Sequence, residues 1–258
     1  MTMPEPRLMQ GEVDFENTTV GAIVAADYRA ADIFQRVGID FCCGGGIPLS
    51  DACREHGVDL EALREELQEL AQSPGRGERY DQWELDFLAD YIVSQHHAYA
   101  RQMTLVLREY ATAVAQVHGE EHPETRTIAE LFEELSGDMA MHMQKEELLL
   151  FPYIRRLLKA QREGGRPVTP PFGSARKLIQ AMDEEHDETG DLLAQIAALS
   201  GGYTPPEDAC NTYRALYANL RELDADTKKH IHLENNILFP KTIRLEGELE
   251  GNGNGTSN

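Results

Sequence analysis

The chain has 258 residues, 24 Lys and Arg against 45 Asp and Glu, and a formal net charge of −21. Its apolar runs are only a few residues long, which excludes a bilayer span, and its start lacks the pattern of a secretory signal. So acidic a surface repels phosphate backbones, so no nucleic-acid partner is expected. The 41% hydrophobic content suffices for a core, and four cysteines without an export signal predict a reducing, cytoplasmic setting. Nine histidines are the feature that this composition leaves unexplained.

In chain order, residues 18–38 carry apolar residues at helical spacing and close at Gly38, and IDFCCGGG at 39–46 is too glycine-rich for a regular element. Helices are predicted at 49–56 and at 59–71, the latter with Asp59 as N-cap. These form a small helical domain over 13–71, followed by a linker over 72–82. Four long helical stretches come next, at 83–116, 124–163, 172–200 and 206–246, broken by HGEEHP, GGRPVTPPFG and SGGYTPP. No useful length alternates with period two, so the fold is predicted all-α, with an antiparallel four-helix bundle over 83–246. The polar, glycine-rich tail at 247–258 is expected to be disordered.

The second and fourth bundle helices repeat a phrase. HMQKEELLLFP at 142–152 and HIHLENNILFP at 230–240 align at an offset of 88 and share His142/His230, Glu146/Glu234 and the closing Leu-Phe-Pro. His96 and His186 precede these motifs by 46 and 44 residues, so the bundle reads as two related hairpins. With nine His in the chain, about one His-x3-Glu arises by chance, often as a solvated ion pair, so helical phase has to decide. The apolar stripe of the second helix runs Ile128, Leu131, Leu135, Met139, His142, Glu146, Leu149, and that of the fourth runs Leu216, Leu220, Leu223, Thr227, His230, Glu234. Leu85, Leu88, Ile92, His96 in the first and Leu178, Met182, His186, Leu193 in the third complete the set. Four histidines (His96, His142, His186, His230) and two glutamates (Glu146, Glu234) are thus predicted to share one interior.

Burying those groups unpartnered costs several kcal/mol each, and cations offset it. Six ligands are too many for one tetrahedral zinc. They suit two metals, each held by two His and bridged by both carboxylates, and the nitrogen/oxygen set favours iron. Asp138 and Glu185 are candidates to orient the ligands. His97 is out of phase and stands in reserve. His232 is expected beside the site or at the surface, and His56, His118 and His122 outside it.

Cys42 and Cys43 precede three glycines on a loop, where thiols are expected to be accessible for redox or metal exchange. Two adjacent thiols do not complete a metal site, so a homodimer or partner protein would supply the rest. Cys53 and Cys210 are expected simply to pack.

The combination of GIDFCCGGG with the two bundle motifs resembles the di-iron iron–sulfur cluster repair family, also called repair-of-iron-centres proteins, over residues 13–71 and 84–245. The resemblance implies a hemerythrin-like C-terminal domain whose ligands correspond to His96, His142, Glu146, His186, His230 and Glu234. It implies two non-haem Fe ions, carboxylate- and oxo-bridged, in a cytosolic bacterial protein, often dimeric, that restores clusters damaged by oxidative or nitrosative stress. Donation of iron to iron–sulfur client proteins is the leading reading, with Cys42 and Cys43 as exchange residues. Reduction of nitric oxide, or hemerythrin-like binding or sensing of O2 or NO, are the alternatives. The doublet His96-His97 and the extra His232 depart from the family pattern.

Overall fold

The structure, a computed structural model, describes residues 17–73, 78–165 and 169–252. Among the described residues the only extended pairing is an isolated bridge between Thr19 and Pro48, so the all-α expectation holds. The chain forms two compact units, residues 1–88 with 231–241, and residues 89–230 with 242–258. None of the described helices is long and apolar enough to cross a membrane.

In the first unit the stretch expected over 18–38 is two helices, α1 (Val20–Ala26) and α2 (Ala30–Arg36). Thr19 opens α1 by accepting the Ala22 N–H at 3.3 Å. Asp27 closes it, because its carboxylate takes the Arg29 backbone N–H at 3.1 Å and the guanidinium at 2.9 Å, local bonds that compete with helix propagation. α3 (Leu49–His56) stops at Gly57, whose φ of +67° gives the left-handed cap. Asp59 then caps α4 (Leu60–Gln72) by accepting the N–H groups of Glu61 and Ala62. Arg29 reaches the end of α4, donating to the Leu70 carbonyl at 3.1 Å and the Ser73 hydroxyl at 3.0 Å. Val20, Val24, Phe34, Leu49, Leu63 and Leu67 fill the core of this unit, together with Cys42, Cys53 and Ile231. Of the expected linker, residues 74–77 lie outside the described residues, while Tyr80–Gln82 form a 3-10 turn with Tyr80 buried.

The bundle consists of four rods. The first is α5 (Leu85–Tyr91), a π-helical segment at Ile92–His97, and α6 (Ala98–His118). The second is α7 (Glu124–Lys145), a π-helical segment at Glu146–Leu150, and α8 (Phe151–Glu163). The third is the uninterrupted α9 (Ala175–Leu199). The fourth is α10 (Asn211–Leu233), a π-helical segment at Glu234–Leu238, and α11 (Phe239–Asn252). Buried Glu246 fixes where α9 begins: it accepts the Ala175 N–H at 2.9 Å and the Tyr153 hydroxyl at 2.7 Å, placing negative charge at a helix N-terminus. Leu107, Phe132, Leu135, Ile196, Leu216 and Leu220 belong to the apolar core of this unit, each worth about 1.5–3 kcal/mol of transfer free energy. α11 continues to Asn252 where a disordered tail was expected from 247, and residues 253–258 lie outside the described residues.

The π-helical segments matter for register. Wider i→i+5 turns advance the inward stripe past the α-helical period. Leu149, expected inside, is accordingly 37% exposed, and Leu150 is buried in its place.

Candidate metal centre

Buried His and Glu side chains meet at the π-helical level of the rods. His97, Glu146, His230 and Glu234 place ligand-capable atoms within 4.8 Å of one another, and so do His142, His186 and Glu234. The Nε2 atoms of His142 and His186 stand 2.9 Å apart, and those of His97 and His230 stand 3.2 Å apart. Two nitrogens on adjacent positions of an octahedral ion, each about 2.1 Å from it, would be about 3.0 Å apart. Glu146 Oε2 lies 3.2 Å from His97 Nε2 and 3.6 Å from His142 Nε2, so one carboxylate reaches both histidine pairs.

Five of the six ligands expected from phase are therefore brought together: His142, Glu146, His186, His230 and Glu234. His96 is not in either group. It is buried, donates or accepts at Nδ1 with Asp226 Oδ1 at 2.9 Å, and stacks on His230 with ring centroids 5.5 Å apart. His97, out of phase and held in reserve by the sequence, is fully buried, and its ring nitrogen stands in the group instead. The cause is the segment Ile92–His97, whose wider turn narrows the angle between successive side chains so that both members of the doublet point inward.

The outer ring nitrogens meet carboxylates. His97 Nδ1 lies 2.7 Å from Glu147 Oε1, and His142 Nδ1 lies 2.8 Å from Glu185 Oε2. A carboxylate on Nδ1 fixes the tautomer that presents the Nε2 lone pair to a cation. Of the two carboxylates considered for orienting the histidines, Glu185 contacts His142, whereas Asp138 is exposed. Glu147 and Asp226 were missed; their only sequence signal is position, one residue after Glu146 and four before His230. The hydrogen bond to His142, with Lys145 assisting against partial burial, holds Glu185 down at about 2. Burial, with His97 adding to it, pushes His230 well below the usual histidine range, so its ring is neutral, the form that binds a cation.

Glu146 tests whether these residues suit cations. It is fully buried, and neither carboxylate oxygen has a hydrogen-bond partner. Buried His96 Nε2 has none either. A charge buried in this way costs several kcal/mol unless something offsets it. Imidazoles and carboxylates without thiolate match a divalent first-row ion of the iron type.

The cysteines lie in the first unit. Cys42 is buried and Cys43 half-buried, which corrects the expectation of two accessible thiols. The loop wraps around Asp40, whose Oδ1 accepts the N–H groups of Cys42 and Cys43 at 2.8 and 3.2 Å and whose Oδ2 accepts that of Gly44 at 2.9 Å. His232 belongs to the same unit, buried, with Nδ1 3.4 Å from the Phe41 carbonyl. Cys53 packs in that core, but Cys210 is exposed, its Sγ 3.2 Å from His118 Nε2.

Helical rods carrying His and Glu into a shared interior define a cation-binding bundle of the hemerythrin class. Residues 88–242 match the hemerythrin HHE cation binding domain, and residues 16–71 match ScdA_N, a domain of unknown function (DUF542). The iron-sulfur cluster repair protein YtfE of Yersinia pestis (strain Pestoides F) is 37% identical over 234 residues, covering 91% of this chain and 100% of the relative. Its namesake in Yersinia pseudotuberculosis serotype O:1b (strain IP 31758) is 36% identical over the same length. The chain belongs to the YtfE family of iron–sulfur cluster repair proteins.

Proposed function

We propose that this protein repairs iron–sulfur clusters in client proteins by donating iron from a two-ion centre. The ligands are His97 with His230 on one ion, His142 with His186 on the other, and Glu146 and Glu234 bridging. His97 takes the place that helical phase gave to His96. The observation that carries this reading is the pair of Nε2 separations, 2.9 and 3.2 Å, with Glu146 Oε2 within 3.6 Å of both sets.

Iron is here the cargo, and the chain's task is to hold it without locking it in. Two bridging carboxylates offset only part of the charge of two divalent ions. Glu147 and Glu185 add to this from outside, through the Nδ1 atoms of His97 and His142. Six protein ligands shared by two octahedral ions leave positions for exchange. Four cysteines outside any disulfide fit the reducing compartment in which clusters are assembled.

Purified anaerobically, the protein is expected to contain about two iron atoms per chain by metal analysis. His142→Ala or Glu234→Ala should remove iron and, in parallel, the ability to restore activity to a cluster-damaged hydratase. A single tetrahedral zinc, or iron retained in both variants, would overturn the proposal.

A further inference from the structure

Asp40, Cys42 and Cys43 lie apart from the histidine set and take no role in it. Their ligand-capable atoms are within 4.8 Å of one another. The two sulfurs are 3.9 Å apart and not joined in a disulfide, with Cys42 Sγ 3.1 Å from Asp40 Oδ1. Two thiolates on one tetrahedral cation at about 2.3 Å stand about 3.8 Å apart, whereas a disulfide needs about 2.05 Å. The thiols are therefore spaced as a chelate.

The loop is held in this form from several sides. Besides the three N–H bonds to Asp40, Asn236 Nδ2 donates to the carbonyls of Phe41 and Cys42, each at 3.3 Å. The Gly21 N–H donates to the Gly45 carbonyl at 2.8 Å, and a Cβ on Gly45 would stand 2.5 Å from the Phe41 carbonyl oxygen. Asn236 sits in the π-helical segment Glu234–Leu238, a regular element that belongs to the same unit as the loop.

We infer that Asp40, Cys42 and Cys43 form a second, exchangeable site for a thiophilic divalent cation. Binding releases the two thiol protons to solvent and involves no redox change. Loss of the Cys42 proton also vacates the place on Asp40 Oδ1 that the S–H occupies. Three protein donors leave a tetrahedral ion one open position, the property of an exchange site rather than a closed structural one. Asp40 is exposed and Cys43 half-buried, so a thiolate of another protein can complete the coordination and take the ion away. On the function proposed above the ion is iron(II), and the site is its port; the site itself does not depend on that reading.

Cobalt(II) tests this in the metal-stripped full-length protein, because thiolate-to-cobalt charge transfer cannot arise from the His/Glu set. One cobalt per chain should give a charge-transfer band that is lost in Cys42→Ser and in Cys43→Ser. Asp40→Asn should weaken the apparent affinity by roughly tenfold or more, while Cys210→Ser leaves the band intact. The band should survive His142→Ala with Glu234→Ala, which separates this site from the bundle centre. Absence of the band in the unmodified protein, or its persistence in both cysteine variants, would overturn the inference. If Cys42→Ser loses helicity by circular dichroism, half-buried Cys43→Ser decides: loss of the band supports the site and retention refutes it.

Discussion

Replacing Glu146 by Met should change stability in opposite directions with and without metal. Glu146 is fully buried and its two oxygens accept no hydrogen bond; in stripped protein it faces imidazoles at 3.2 and 3.6 Å, with His230 and the second carboxylate, Glu234, in the same group. Exchanging a poorly compensated buried charge for an apolar side chain of similar volume stabilises by about 1–4 kcal/mol. For a chain of this size each kcal/mol moves the melting point by about 2–4 °C, so a gain of about 2 kcal/mol raises it by roughly 4–8 °C. With iron the order reverses. Free iron at a hundredfold excess over its dissociation constant stabilises by about 2.7 kcal/mol per site. Glu146→Met should forfeit most of that increment along with the bridge. The assay is thermal unfolding by circular dichroism, before and after chelation, with iron measured on the same samples. A stripped Glu146→Met protein less stable than stripped wild type would refute the reasoning, since the carboxylate would then be satisfied by the protein itself.

His97→Ala should release about one of the two irons proposed per chain, whereas His96→Ala, measured by the same metal analysis, should retain both. Gly45→Ala should lower stability by about 1–3 kcal/mol in denaturant titration, because the obstructing atom is a backbone oxygen that cannot swing aside. His122 should titrate above the usual histidine value in an NMR pH series, chiefly through its hydrogen bond to Asp208. Its contribution to stability is complete below the unfolded-state value and fades as pH rises through the raised one; Asp208→Asn should remove the larger part of the shift, and Glu124 should sustain the rest.

The bundle and most of the metal site were legible because α7, α9 and α10 are regular up to the residues that matter. Phase counted from Ile128 reaches His142 correctly, and phase counted from Leu216 reaches His230. It fails at the π-helical segments, where an i→i+5 turn inserts extra chain that no apolar stripe announces. This is why phase selects His96 over His97 and Leu149 over Leu150. Asp226 and Glu147 depend on which carboxylate stands at the level of a ring nitrogen on another rod, a tertiary fact without a periodic signature. The burial of Cys42 was hidden for a related reason. Glycines suggested an open loop, but Asp40 supplies acceptors for three consecutive N–H groups and turns the loop in on itself.

The two hairpins repeat in sequence, yet the interruption in the first rod has no counterpart in α9. One histidine pair, His97 and His230, consequently has a third ring beside it, His96, stacked on His230 at an interplanar angle of 8°. The other pair, His142 and His186, lacks a counterpart of that doublet. Two ions held in such surroundings would leave at different rates, so a half-loaded protein would be a defined species with one preferred vacancy. On the function proposed above, each encounter with a damaged client would then deliver a single ion while its partner stays behind to keep the buried carboxylates neutralised.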